Sequence, residues 1–199
     1  AQYEDTTDNQ SGAAYIFERD TDGSWNQVPT ILRAIDSPAE YDGFGRSVSI
    51  SGNYAIVGAP YEDSSGSNQT GATDSGSAYI FERATDGSWN EVSMLKASNG
   101  FNGDMFGNSV SISGSYTIVG AYGENTSGTD AGAAYVFKRD TDGSWNQNSS
   151  IIKASNPSAI DYFGYSVAIN EGYAIVGAIN EDTTADDSGA AYILEPSIS

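Results

Sequence analysis

The chain contains no cysteine and no histidine. The first absence excludes disulfide staples and thiol chemistry but leaves the redox compartment open, since a secreted chain need not carry disulfides. The second removes Ser-His-Asp triads, Cys-His pairs, histidine zinc sites and the commonest general base together. Basic residues are scarce as well, 8 against 27 acidic ones, which gives a net charge of −19 over 199 residues. Such a field repels phosphates and anionic lipid, so neither nucleic acid nor a membrane is an expected partner. No run approaches the roughly 18 apolar residues of a membrane helix, and no signal peptide is visible. The expected form is a soluble mature chain or a piece excised from a longer one.

Glycine (23) and tyrosine (13) are abundant, alongside serine, threonine, valine and isoleucine, while methionine is rare. That mixture favours strands and turns over helices. Hydrophobic residues at 38% suffice for a packed core, so the composition is not that of a disordered chain.

Repeats organise everything else. Asp42–Pro60, "DGFGRSVSISGNYAIVGAP", returns as Asp104–Tyr122 and Asp161–Ile179. "SGAAYIFER" at Ser11 returns at Ser75, Ala131 and Ser188. The Phe-Gly pairs begin at Phe44, Phe106 and Phe163, spaced by 62 and 57 residues. A period near 60 means stacked supersecondary units, none of which can bury its core face alone.

Each unit reads as four strands. Ser47–Ser51 alternates with period two and puts Val48 and Ile50 on one face. Gly52-Asn53 is a tight hairpin turn, and Tyr54–Ala59 is an apolar run suited to burial on both faces. Ser77–Arg83 is the third strand and Trp89–Ala97 the fourth. No segment shows a helical period. The fold class is therefore all-β: propeller blades of four antiparallel strands, thirteen strands in all, or about 3.25 blades. The chain is expected to be one segment spanning residues 1–199, with blade parts 1–40, 41–98, 99–156 and 157–199. A ring of that count cannot close, so the expectation is a trimmed parent chain or subunits that complete one another's blades.

Phe44-Gly45 followed by Gly58-Ala59-Pro60 resembles the FG-GAP repeat of integrin α-like propellers and bacterial extracellular proteins. Phe106-Gly107 with Gly120-Ala121, and Phe163-Gly164 with Gly177-Ala178, are further copies without the proline. The resemblance implies an extracellular or cell-surface propeller for cell adhesion, ligand binding or sugar recognition. It also implies a calcium loop between the first and second strands. The corresponding positions here, Ser51–Asn53, Ser113–Ser115 and Asn170–Gly172, are short turns holding one carboxylate, Glu171. A hard cation needs six to eight oxygens, so no metal is expected at the family's usual inter-strand loop.

"RDTDGSWNQ" (Arg19–Gln27), repeated from Arg83 and Arg139, superficially begins like a calcium loop. It lacks the downstream bidentate acid, and Asp-Gly between alternating strands points to a hairpin turn with both central residues at positive φ. The loops between second and third strands are better candidates for ligand binding, because function concentrates on loops held by a rigid scaffold. They carry Glu62, Asp63, Asp74, Glu124, Asp130, Glu181, Asp182 and Asp187. The plainer reading is a solvated loop. The functional one is a ring of acids for a polar ligand, with calcium the cofactor such loops admit. Trp25, Trp89 and Trp145 could stack on sugars or cover blade edges, and Tyr15, Tyr79, Tyr135 and Tyr192 are expected in the blade-to-blade core.

No catalytic constellation is visible. Carboxylate-only chemistry of the glycosidase type would need a paired acid in an apolar pocket. The expected function is a non-catalytic adhesion or ligand-binding module with a glycan or protein ligand. The alternative is a self-assembling structural protein, a homo-oligomer or part of a longer chain.

Overall fold

The computed structural model describes residues 11–35, 41–63, 73–170, 172–182 and 188–195. Among them lie thirteen strands and no helix. The first sheet holds β1 (Ala14–Arg19) and β2 (Trp25–Leu32). The second holds β3 (Ser47–Ser51), β4 (Tyr54–Ala59), β5 (Ser77–Arg83) and β6 (Trp89–Leu95). The third holds β7 (Ser109–Ser113), β8 (Tyr116–Ala121), β9 (Ala133–Arg139) and β10 (Trp145–Ile152). The last holds β11 (Phe163–Asn170), β12 (Tyr173–Ala178) and β13 (Ala190–Leu194). Each sheet is antiparallel and runs in sequence order, and together they form successive blades of an incomplete propeller.

Two strand boundaries and one turn differ from the sequence reading. The fourth strand stops at Leu95 rather than Ala97, and Ala97, 3% exposed, joins the core between the second and third sheets. β11 begins at Phe163 through an irregularity in its register with β12. In the Thr-Asp-Gly turns, Gly23, Gly87 and Gly143 have positive φ while the preceding aspartates do not. The amide of Gly23 donates to the Asp20 carbonyl and that of Asp20 to Ser24 (3.0 and 2.8 Å). This is a type I turn followed by a glycine bulge, a three-residue connection that needs only one left-handed position. The Asp22 carboxylate accepts the Ser24 amide, and that bond holds its pKa below the usual carboxylate value.

Packing between blades follows from the alternation in each strand. In β4, Ile56 points toward the third sheet and Ala55 and Val57 toward the first, so the strand is buried on both faces. Ile56 and Ile80 meet Val110, Ile112, Tyr135 and Phe137 across the second seam. Ile118 and Val136 meet Phe163, Ile169 and Val176 across the third. The serines of the first strands point the other way from the valine and isoleucine. Ser49 Oγ accepts the Ile112 amide at 3.2 Å, and Ser111 Oγ accepts the Ile169 amide at 3.1 Å.

The Phe-Gly and Gly-Ala signatures meet at these seams. A Cβ on Gly58 would lie 1.9 Å from the Gly107 carbonyl oxygen, and one on Gly120 would lie 2.0 Å from that of Gly164. Ser47 and Ser109 donate their hydroxyls to those same carbonyls, each at 2.8 Å. The Phe106 amide donates to Ser75 and the Phe163 amide to Ala131, both at 3.0 Å. Backbone thus touches backbone from blade to blade, and only glycine permits it.

Gly120→Ala is therefore expected to cost about 3 kcal/mol or more in urea unfolding, since rigid backbone blocks the new methyl. Gly114→Ala, where nothing lies within 4 Å but φ is +56°, should cost only about 1 kcal/mol.

Candidate functional site

The loops between second and third strands start from a glutamate that the fold turns inward. The amides of Gly76, Gly132 and Gly189 donate to the carbonyls of Glu62, Glu124 and Glu181 at 3.0, 2.9 and 2.9 Å. All three glycines have positive φ, the conformation that closes the loop back onto its own start. The three glutamates are buried, Glu124 to 1% exposure. At these three positions the burial departs from the solvated loop of the plainer reading.

Each buried glutamate is met by donors or a lysine from within the chain, although Glu124 Oε2 makes no hydrogen bond beyond its ion pair. Glu124 Oε1 accepts the Asn99 side-chain amide at 3.0 Å and the Thr126 hydroxyl at 2.5 Å. Its Oε2 faces the Lys153 ammonium at 3.2 Å. Asn99 Oδ1 in turn accepts the Tyr135 hydroxyl at 2.9 Å. The next unit repeats the chain: Tyr192 donates to Asn156 at 2.9 Å, and Asn156 to Glu181 at 2.8 Å. Glu62 accepts Ser77 Oγ at 2.7 Å and faces Lys96 at 3.9 Å. These glutamates anchor their loops to the fold.

A second set of acids lies under the same end. Asp104 and Asp161, each just ahead of a Phe-Gly pair, are 1% exposed. Asp104 Oδ2 accepts the Phe101 amide at 2.8 Å and Asp161 Oδ2 the Ser158 amide at 2.6 Å, so each carboxyl closes the turn before it. Asp104 Oδ1 has no hydrogen-bond partner. Burial pushes its pKa up to about 7, against the Phe101 bond and Lys153, with the Glu124 charge adding to the rise.

The remaining candidates lie nearer the surface. Asp63 and Asp182 are exposed, and Asp74 and Asp130 are half-buried with φ of 53°. Asp63 Oδ1 accepts the Asp74 amide at 3.0 Å, and Asn125 Oδ1 accepts the Asp130 amide at 2.9 Å. Burial, then the Asp63 charge, raises the Asp74 pKa. Asp187 lies outside the described residues, as does Glu171. Among the described residues, no group of three or more acidic side chains converges for a metal ion. The first hairpin turns do not fit the calcium loop either, because Ser51 pairs directly with Tyr54 and Ser113 with Tyr116.

These loops are tied to the loops entering the next blade. Gly103 and Ile160 donate their amides to the carbonyls of Thr73 and Thr129, at 3.0 and 2.8 Å. The joined loops leave Tyr41, Phe101 and Ile160 about half exposed. Tyr41 and Ile160 hold φ of 71° and 70°, a costly conformation for bulky and β-branched residues. Neither residue stood out in the sequence. Asn99, Asn156, Lys96 and Lys153 were also missed, although the repeated "KASN" at Lys96–Asn99 and Lys153–Asn156 marked them.

The tryptophans divide by position. Trp89 and Trp145 are buried, whereas Trp25 is 66% exposed. Trp145 packs edge-on against Tyr54 of the preceding blade at 5.9 Å, a blade contact and not a sugar platform. The residue two past each buried tryptophan also bridges blades. Gln147 accepts the Ser98 amide and Glu91 the Ile35 amide, both at 3.0 Å.

Asp104 gives a pH test. Its folded pKa of about 7 exceeds the ordinary 3.8, so the folded chain keeps a proton that the unfolded chain releases. Its stability contribution is complete below about pH 4 and is lost as the pH rises through 7. Relative to the parent, Asp104→Asn should gain in Tm between pH 5 and pH 8, because the amide keeps an acceptor for the Phe101 amide and never ionises. Glu124→Gln should lose roughly 3 kcal/mol near pH 7 by leaving the Lys153 ammonium without its charge partner.

None of the curated proteins compared with the chain matches it at a significant level. The profile of the FG-GAP repeat matches residues 25–81, 89–137 and 145–194, which together make up most of the chain. Each match spans the seam glycines and the alternating strands described above. The chain belongs to the FG-GAP repeat family.

Proposed function

We propose that the chain is a non-catalytic, extracellular FG-GAP module that adheres to or binds a ligand, a glycan or a protein, through the loop end of its blades. FG-GAP repeats are associated with extracellular and adhesion-type propellers. The observation that carries the reading is the exposure of Tyr41, Phe101 and Ile160 on loops held in place by backbone hydrogen bonds. Apolar tips beside the polar acids Asp63, Asp74 and Asp130 have the mixed chemistry of a binding surface on a rigid frame. Catalysis has little to work with. The most displaced carboxyl, Asp104, is closed off from solvent and occupied in holding a turn.

A second reading, self-assembly, rests on a separate observation. Val48 and Ile50 of β3 are 61% and 57% exposed, while their equivalents Val110 and Ile112 in β7 are 8% and 5% exposed. A face that is core in one repeat and bare in another fits association.

Glycan arrays and immobilised extracellular proteins, with and without calcium, test the first reading. The triple variant Tyr41→Ala, Phe101→Ala, Ile160→Ala should lose at least about tenfold in affinity while its Tm holds. Absence of binding to any glycan or protein would overturn the reading.

A further inference from the structure

One polar set bridges the seam between the second and third sheets, and it holds the groups that an amide-forming reaction needs. Asn99, in the loop leaving the second sheet, reaches Glu124 and Tyr135 of the third. Lys153, just past the outer strand β10, reaches the same glutamate. The two side chains thus flank one carboxylate, the Asn99 amide 3.0 Å from Oε1 and the Lys153 ammonium 3.2 Å from Oε2. Tyr135 donates its hydroxyl to the Asn99 carbonyl oxygen at 2.9 Å. Glu124 is 1% exposed and Tyr135 is fully buried against the Phe106 ring, so both are shielded from water. Burial, followed by the charges of Glu124 and Asp104, raises the Tyr135 pKa, so the phenol keeps the proton it donates.

The preceding blade shows what sets this glutamate apart. There Ser77 donates to Glu62 Oε2 at 2.7 Å, and Lys96 lies back at 3.9 Å. The equivalent of Ser77 in the third sheet is Ala133, which has no hydroxyl. Lys153 accordingly closes to 3.2 Å on an oxygen that accepts no hydrogen bond. The residue in the place of Asn99 there, Asp36, lies outside the described residues.

We propose that Lys153 and Asn99 join in an intramolecular amide bond, Nζ to Cγ, with Glu124 as the proton carrier and Tyr135 as the donor to the developing oxyanion. Glu124 first takes one proton from the Lys153 ammonium and leaves a neutral amine. The low-polarity surroundings favour this transfer, because it replaces two charges by two neutral groups. The nitrogen lone pair attacks Asn99 Cγ, and the carbonyl π pair moves to Oδ1, where the Tyr135 hydroxyl stabilises it. Glu124 passes its proton to Nδ2 and takes the second amine proton. The Cγ–Nδ2 bond breaks as the carbonyl re-forms, and ammonia leaves. The products are one amide, one ammonia and a protonated Glu124, so no oxidant, reductant or co-reactant is consumed. Holding amine and amide on one carboxylate makes the attack unimolecular.

This is a single reaction of the chain with itself and not turnover of a substrate, so it stands apart from the binding reading. The bond would close a loop from Asn99 to Lys153 that contains β7, β8, β9 and β10, the whole third blade. In a chain without cysteine it takes the part of a disulfide, limiting what the unfolded state can explore.

Intact-mass spectrometry of the purified chain, unfolded for the measurement, should find it lighter than its sequence by one ammonia. Trypsin should release residues 97–138 joined to residues 140–199, because an acylated Lys153 is no longer cut. Lys153→Arg keeps a cation against Glu124 but offers no amine, and should show the full sequence mass and no joined peptide. Glu124→Gln removes the proton carrier and should lower the linked fraction at least about tenfold in material that circular dichroism shows folded. A parent chain of full sequence mass overturns the proposal. An equal loss of ammonia in Lys153→Arg overturns it too, tracing the loss to a succinimide at Asn99-Gly100. A folded Glu124→Gln that links as completely as the parent overturns the role of the glutamate.

Discussion

Backbone contact between blades is the constraint on which the rest of the structure depends. At each interior seam a glycine near the end of a second strand lies against the carbonyl of the next Phe-Gly pair, closer than any side chain allows. The serine that opens each first strand donates to that carbonyl. The phenylalanine goes into the core, where Phe106 packs against Tyr135 at 5.3 Å and Phe163 against Tyr192 at the same distance. Close approach of the sheets lets Ile56 and Ile80 reach Val110 and Ile112 and sets the stacking of the blades. The family signature is thus a description of a seam: small where backbones touch, aromatic where the core must be filled.

The acidic character of the chain divides into two populations with different roles. Glu62, Glu124 and Glu181 lie inside, each held by donors from within the chain, so their burial is compensated. Asp104 is compensated only in part and keeps its proton near neutral pH. The exposed acids, Asp63 and Asp182 among them, belong to the surface of the loop end. The alternation of buried and exposed carboxylates, a residue or two apart as in Glu62-Asp63 and Glu181-Asp182, places the loop backbone between the fold and the solvent.

Much of this architecture was legible in the residues. Ser47–Ser51, Tyr54–Ala59 and Ser77–Arg83 lie where their alternation and flanking turns placed them, because strand pattern and turn chemistry agree in each repeat. Tyr79 and Tyr135 are core, as their place in mid-strand implied, whereas Tyr15 and Tyr192, expected there too, are half-buried. The inward turn of the glutamates was not legible. A carboxylate in a loop rich in glycine and serine looks solvated until its partners are known, and those partners lie far off in sequence. Asn99 is 25 residues from Glu124 and 36 from Tyr135. The turn type was also misjudged, since Asp-Gly suits both a two-residue turn and a type I turn with a glycine bulge. Only the backbone angles of Gly23, Gly87 and Gly143 separate the two.

One sequence occurs twice in different surroundings, and this isolates what the seams contribute. Tyr-Ala-Ile-Val-Gly-Ala is β4, covered on both faces, and again β12, covered on one. Amide hydrogen exchange on the two segments, measured on the monomeric chain, tests whether seam packing governs stability. The account expects the amides of Ile56 and Val57 to exchange at least about tenfold more slowly than those of Ile175 and Val176. Equal exchange rates in the two segments would contradict it.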